Sequence, residues 1–315
     1  MSGAPQALAL LGPTAVGKSA LAHALAEALP LTVISIDSAQ VYRRLDIGTG
    51  KPEAALRARI PHELIDLREP TERYSAAEFA ADARAAIARA RSLGRLPLLV
   101  GGTHLYFRAL DRGLSPLPPA NPELRARLQA ELEQEGAGVL HARLLRLDPI
   151  AAGRIHRNDP QRLLRALEVI ALTGQPLSAQ QNQAGPGSGL PMLGCALWPS
   201  SRSALHRDIE QRLDAMLTAG FVEEVRGLCS EPGFDPALPA FRSVGYRQLI
   251  EHVQGRASLA VARERAIHAT RQLAKRQLTW LRSEPAVVAL ENGREFAQLL
   301  QMAEQVMTTM NGASS

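Results

Sequence analysis

The octapeptide Gly12-Pro13-Thr14-Ala15-Val16-Gly17-Lys18-Ser19 follows the apolar run Ala7 to Leu11 and precedes an alanine- and leucine-rich helical pattern. The spacing is that of a phosphate loop, and it calls for a strand, a tight turn and a helix in that order. Glycines at either end let successive N–H groups turn inward, and the helix N-terminus adds partial positive charge. Lys18 adds a full charge, and the Ser19 hydroxyl is placed to hold Mg²⁺. A diphosphate or triphosphate is therefore the expected ligand of Gly12, Pro13, Thr14, Ala15, Val16, Gly17, Lys18 and Ser19. The loop leaves open whether those phosphates belong to a nucleotide.

With 315 residues, 46% of them hydrophobic, the chain can bury one large core and a smaller second one. The net charge of +5 and a pI near 9.7 suit a polyanionic partner without requiring one, since arginine-rich usage also arises from genomic bias. Cys195 and Cys229 show no metal-ligand spacing, which argues against a zinc site or a disulfide framework and for a reducing cytoplasm. No basic leader followed by a long apolar stretch lies in residues 1–30, and no later segment has the length to span a bilayer. Membrane association is not expected, and a monomer is.

Apolar runs at Ala7–Leu11, Leu31–Ile36 and Leu96–Val100 alternate with helical patterns at Ser19–Leu29 and Ser75–Leu93. That is the βαβ rhythm of a parallel sheet, so the fold class is α/β with a phosphate-loop core. Proline and glycine punctuate the chain at Leu114–Pro122 and Gly174–Gly189, with helical patterns between them at Glu123–Glu135 and Pro160–Leu172. This predicts a core in residues 1–119, a helical insertion in 120–190, and a second part of the core in 191–315. That second part reads as a strand at Met192–Trp198, helices at Arg202–Thr218, Phe221–Cys229 and Leu259–Arg282, a short strand at Ala286–Leu290, and a tail. No internal repeat is present, which excludes solenoids.

Asp37 opens the second chemical segment, DSAQVYRRLDIGTGKP from Asp37 to Pro52, where the run Leu31–Ile36 ends. Ligands of open α/β sheets sit beyond the strand carboxyl ends, so Asp37 is expected beside the phosphate loop. There it can hold a metal, take a proton from a nucleophile, or cap a turn. The run Leu96–Val100 ends in Gly101-Gly102-Thr103-His104, without the aspartate expected of a nucleotide hydrolase. Paired glycines allow close approach, and the Thr103 hydroxyl can bond a phosphate oxygen or an entering substrate; a lone histidine such as His104 is more often packed or solvated than catalytic.

In the insertion, Asp159-Pro160 reads as a helix cap that sets Gln161 and Arg165 on one face with Arg162 beside them. Arg242-Ser243-Val244-Gly245-Tyr246-Arg247 joins two cations through a glycine turn. In the long helix, His268, Arg271, Lys275, Thr279 and Arg282 share a side, a stripe suited to a nucleic-acid backbone.

Together these segments resemble the tRNA dimethylallyltransferases. GPTAVGKS, DSAQVYRRLDIGTGKP, LVGGTHLYFRAL, IHRNDPQRLLRALEV, FRSVGYRQL and KRQLTWLR occur in that family's order across nearly the whole chain. His104 stands at a variable site, Arg157 replaces a frequent proline, and the zinc finger of eukaryotic relatives is lacking, so the chain resembles the compact bacterial type. The resemblance implies that the phosphate loop grips dimethylallyl diphosphate and that Asp37 accepts the proton of adenine N6, with Lys18 and Thr103 completing the catalytic group and Mg²⁺ at Ser19. The acceptor implied is the adenosine 3′ of the anticodon in a tRNA anticodon stem-loop, turned out of its stack. The residues implied in RNA binding are Asp37, Ser38, Ala39, Gln40, Thr103, Arg125, Gln161, Arg162, Leu163, Leu164, Arg165, Arg242, Ser243, Val244, Gly245, Tyr246, Arg247, Lys275, Arg276, Gln277, Trp280 and Arg282. The alternative is a small-molecule kinase that uses the same loop for ATP.

Overall fold

A computed structural model describes residues 4–115, 117–181 and 189–312. The chain divides into two compact units, one of Met1–Asp111 with Leu190–Ser315 and one of Arg112–Gly189. The second unit begins before the residue 120 expected from the proline cluster. The seam lies where the Leu190 N–H donates to the Leu110 carbonyl at 2.8 Å, which closes the first unit there.

The first unit opens with β1 (Ala7–Leu11), α1 (Lys18–Ala28), β2 (Leu31–Ile36), α2 (Ala54–Arg59), β3 (His62–Glu63), α3 (Ala76–Ser92), β4 (Leu96–Gly101) and α4 (His104–Asp111). The second unit consists of α5 (Pro122–Glu135), α6 (Ala137–Leu147), α7 (Pro149–Arg154), α8 (Pro160–Thr173) and α9 (Leu177–Gln181). The chain then returns to the first unit through β5 (Met192–Ala196), α10 (Arg202–Thr218), α11 (Phe221–Cys229), α12 (Tyr246–Val253), α13 (Leu259–Arg282), β6 (Val287–Ala289) and α14 (Glu295–Gly312). The expected tail is thus a helix, and its buried stripe Leu299, Ala303, Val306 explains why. Residues 182–188 of the expected glycine-rich stretch, and Pro116, lie outside the described residues.

The sheet runs β3-β2-β4-β1-β5-β6 with every pair parallel. β1, β2 and β4 are buried along their whole length, as continuous apolar strands of a doubly covered sheet must be. Alternation sorts them by face: Ala7, Ala9 and Leu11 pack with Phe79, Ala83 and Ile87 of α3 and with Phe107 and Leu110 of α4. Leu8 and Leu10 pack on the other face with Ala22 and Leu25 of α1 and with α14. A third cluster joins α10, α11, α12 and α13 to Val41, Tyr42 and Leu45 of the segment after β2. The chain leaves β1 toward β2 on one side and reaches β5 on the other, which makes the carboxyl end of β1 the switch point where ligands bind.

The second unit has its own core of Leu128, Leu140, Leu144, Leu163, Leu167 and Val169. Its helices carry strong start signals: Asn121 and Asp159 cap α5 and α8 through Leu124 N–H and Arg162 N–H, each followed by proline. Gly174, at φ 69°, ends α8. No helix among the described residues is long and apolar enough to cross a membrane.

Candidate active site

The phosphate loop bends sharply as β1 ends. Gly12 has φ 155°, and a Cβ there would meet the Leu197 carbonyl oxygen at 2.7 Å. Ala15 and Gly17 have φ of 64° and 95°, so the loop reverses handedness twice before α1 begins. Gly17 precedes α1 without a side-chain cap, which leaves the first amides of the helix facing the loop's interior. Lys18 curls back so that its ammonium donates to the Pro13 carbonyl at 2.6 Å. Burial, reinforced by the charge of Arg212, pushes the Lys18 pKa down to about 7, and Asp37 pulls weakly the other way.

Asp37 stands where β2 ends. Its Oδ1 accepts the Ala39 N–H at 2.8 Å and the Gln40 N–H at 3.4 Å, an Asx turn that fixes the carboxylate. Oδ2 takes no hydrogen bond among the described residues. Of the expected roles, the turn cap is the one these bonds show. Beside it, the Thr103 hydroxyl oxygen accepts the Ser38 N–H at 3.2 Å, and the Thr103 N–H donates to the Ile36 carbonyl at 3.2 Å. A Cβ on Gly101 would lie 2.2 Å from that same Ile36 carbonyl oxygen. The glycine is therefore what lets β4 bring Thr103 against the end of β2.

Lys18, Ser19, Asp37, Gln40, Gly102 and Arg212 line one cleft of about 110 Å³, whose apolar floor is Ala22, Val33 and Val100. Arg212, from α10, reaches the Thr49 carbonyl at 3.3 Å. It belongs to no motif in the sequence, and only its charge on an otherwise ordinary amphipathic helix could have marked it.

The segment after β2 is fastened at three points. Gln40 accepts the Ser35 hydroxyl at 2.8 Å and donates to the Thr49 and Gly50 carbonyls at 3.3 and 3.4 Å. The Lys51 ammonium donates to the Tyr42 carbonyl, Asp46 and Asp66 at 2.6, 2.7 and 2.6 Å. Glu224 of α11 accepts the N–H groups of Asp46, Ile47 and Gly48 at 3.0, 2.7 and 3.2 Å and the Tyr246 hydroxyl at 2.6 Å.

Several residues expected to touch RNA are placed otherwise. Tyr246 and Trp280 are buried, the first bonded to Glu224 and the second donating to Glu284 at 2.9 Å while stacking on His104. Both side chains pack inside the first unit. The Gln40 amide is used within its own loop, and the Gln277 amide bonds Thr14 and Gly102, so both position other groups. Gly245, at φ 93°, has its N–H taken by Gln248 at 2.9 Å, and Ser243 and Val244 are half-buried. Arg242, Arg247, Lys275, Arg276 and Arg282 are exposed, as is Ser38, while Ala39 is half-buried.

Within the second unit, Leu163 and Leu164 are buried in its core. Gln161 and Arg162 are exposed. Arg125 and Arg165 both pair with Glu168, at 3.1 and 2.8 Å, and Glu168 also accepts the Asn121 N–H at 2.9 Å. Burial of Glu168 works to raise its pKa, and the Arg165 hydrogen bond, the Asn121 N–H and the Arg125 charge together hold it below the usual carboxylate range. No cluster of three or more His, Cys, Asp or Glu side chains that could bind a metal occurs among the described residues.

A parallel sheet whose switch point carries this loop, with Lys18, Arg212 and Asp37 lining one cleft and Thr103 bonded at its edge to Ser38, defines a phosphate-loop enzyme with a carboxylate beside the loop. A family model described as IPP transferase matches residues 40–284, and one described as isopentenyl transferase matches residues 5–71. A tRNA dimethylallyltransferase of Alkalilimnicola ehrlichii is 54% identical over 91% of this chain and 90% of its own. The full-length tRNA isopentenylpyrophosphate transferase of Bacillus halodurans superposes with a TM-score of 0.68 at 32% identity, over 98% of both chains. A eukaryotic dimethylallyltransferase acting on tRNA superposes with a TM-score of 0.72 at 28% identity, over 90% of this chain and 73% of its own. The chain belongs to the IPP transferase family, the tRNA dimethylallyltransferases, which transfer a prenyl group to tRNA.

Proposed function

We propose that the donor is dimethylallyl diphosphate and that the acceptor is N6 of the adenosine 3′ of the anticodon. The free Asp37 oxygen in the cleft of Lys18 and Arg212 carries this reading. The cleft joins these polar groups to the apolar side chains Ala22, Val33 and Val100, a lining that suits a hydrocarbon carried on a diphosphate. The loop amides, Lys18 and Arg212 hold the diphosphate. The N6 lone pair attacks the first carbon of the prenyl group as its C–O bond breaks, and that bonding pair leaves on the diphosphate oxygen. Negative charge grows on the leaving group, so these donors act most strongly in the transition state. Asp37 accepts the proton released from N6, and Thr103 orients the base.

Ser19 would hold Mg²⁺ through its hydroxyl together with diphosphate oxygens, hard oxygen donors of the kind that ion takes, and the ion would help neutralise the leaving group. Exposed Gln161, Arg162, Arg242, Arg247, Lys275, Arg276 and Arg282 engage the RNA of a tRNA anticodon stem-loop, and the enzyme works as a monomer in the cytoplasm. Asp37→Ala tests the assignment. The single-turnover rate, read by nucleoside mass spectrometry, should fall about 10²–10⁴-fold, while stem-loop affinity stays unchanged. Weakened binding at an unchanged rate would remove Asp37 from the chemistry.

A further inference from the structure

Gln277 joins two loops that the reaction uses and a helix that faces RNA. Its Oε1 accepts the Thr14 N–H at 2.9 Å, and its Nε2 donates to the Gly102 carbonyl at 3.0 Å. One side-chain amide thus ties the phosphate loop after β1 to the Gly-Gly-Thr turn after β4. The fit is tight: a Cβ on Gly102 would lie 2.3 Å from Gln277 Nε2 and 2.9 Å from the Gly12 carbonyl oxygen. Gly102 therefore serves to seat a glutamine that is distant in sequence. The Thr14 N–H is taken, so the loop amides left for a ligand begin beyond it.

Gln277 also belongs to the basic stretch of α13. Lys275 and Arg276 precede it and are exposed, as are Thr279 and Arg282 after it. Ala274 and Leu281 on the opposite side are buried, so the helix is anchored on the sheet side and open on the other. Whatever restrains α13 restrains Gln277, and through it the start of the phosphate loop. RNA bound to Lys275 and Arg276 supplies such a restraint, and a loop already ordered loses less freedom when it closes on a diphosphate.

We propose that Gln277 is a positioning residue that couples RNA binding on α13 to the diphosphate grip. The proposal rests on the reading that the loop holds a diphosphate and the helix an anticodon stem-loop. Inorganic diphosphate with Mg²⁺ is a suitable probe, because it cannot transfer a prenyl group and equilibrium is reached with RNA present. For the native protein, diphosphate Kd should tighten about fivefold or more when the stem-loop is bound, and stem-loop Kd should tighten by the same factor with diphosphate.

In Gln277→Leu that ratio should fall to near one, with the affinity for stem-loop alone retained. Gln277→Glu, which can accept from Thr14 but cannot donate to Gly102, should fall between. Gly102→Ala displaces the glutamine from its other partner and should lower the ratio independently if Gln277→Leu folds poorly. A native ratio of one, or a native-like ratio in Gln277→Leu and Gly102→Ala, overturns the proposal. Failure of the native protein to bind diphosphate at all overturns the reading beneath it, a distinguishable result.

Discussion

Lys18 offers the most direct physical test of the donor site. In the free protein its pKa is about 7, so at pH 8 roughly nine in ten ammonium groups have lost their proton. A diphosphate against the loop restores the charged form, because opposite charge in a desolvated site favours ionisation. Binding at pH 8 should therefore take up about 0.9 proton at Lys18, and at pH 6 only about 0.1. Above pH 7 this contribution to affinity should weaken about tenfold per pH unit. Calorimetric titration of Mg²⁺–diphosphate in buffers of different ionisation enthalpy measures the uptake. Subtracting Lys18→Met removes the ligand's own protonation. Equal uptake by both proteins at pH 8 would falsify the account of Lys18. The sign for folding follows from the same pKa. The folded value lies below the ordinary lysine value of 10.5, so the free folded protein binds fewer protons between about pH 7 and 10.5, and this group makes stability rise with pH across that window.

Glu168→Gln removes a fully buried carboxylate from two arginines while keeping its shape. The cost should be about 2 kcal/mol, below the roughly 3–5 kcal/mol of a fully buried pair, because Arg125 and Arg165 keep 40% and 29% side-chain exposure and regain water. Amide exchange in α5 and α8 should accelerate about thirtyfold; unchanged exchange there refutes the role. The folded pKa of Glu168 is depressed, so its contribution is present above the unfolded value, is lost as pH falls through the folded one, and the two proteins should converge in acid. Gly48→Ala would put a Cβ 2.2 Å from the Phe221 ring and 2.6 Å from Tyr246, lowering Tm by about 3–10 °C and slowing prenyl transfer by shifting the segment held by Glu224. A native Tm and rate would show that the ring can move aside.

Local signals reveal much of this architecture. β1 and β2 coincide with the apolar runs that predict them, and α10, α11 and α13 begin and end at the predicted residues, because periodicity and caps act over a few positions. The short strand β3 has only two residues, too few to show a pattern, and α14 follows a tail-like stretch whose apolar stripe becomes visible only against α1 and the sheet. The same division holds at the site. The phosphate loop, Asp37 and Thr103 lie in contiguous motifs, whereas Arg212 reaches the cleft from a helix with no motif, and Glu224 acts through backbone amides that no side-chain pattern announces. Motif membership also misleads about roles. Trp280 and Gln277 stand in the same basic segment as Lys275, yet one fills the core and the other braces the loop.

The position of β1 in the sheet also sets an order of events during synthesis. Its neighbours are β4 and β5, and Ala7 pairs with Met192. At about 5–20 residues per second, roughly 10–40 s pass between the appearance of those two strands at the ribosome. Throughout that interval the intervening helical unit, which has its own core, can form first, while one edge of the central strand stays open. Gly12 gains its close neighbour, the Leu197 carbonyl, only after β5 is made. A nascent chain therefore cannot complete the surroundings of Gly12 until about two thirds of its residues have emerged.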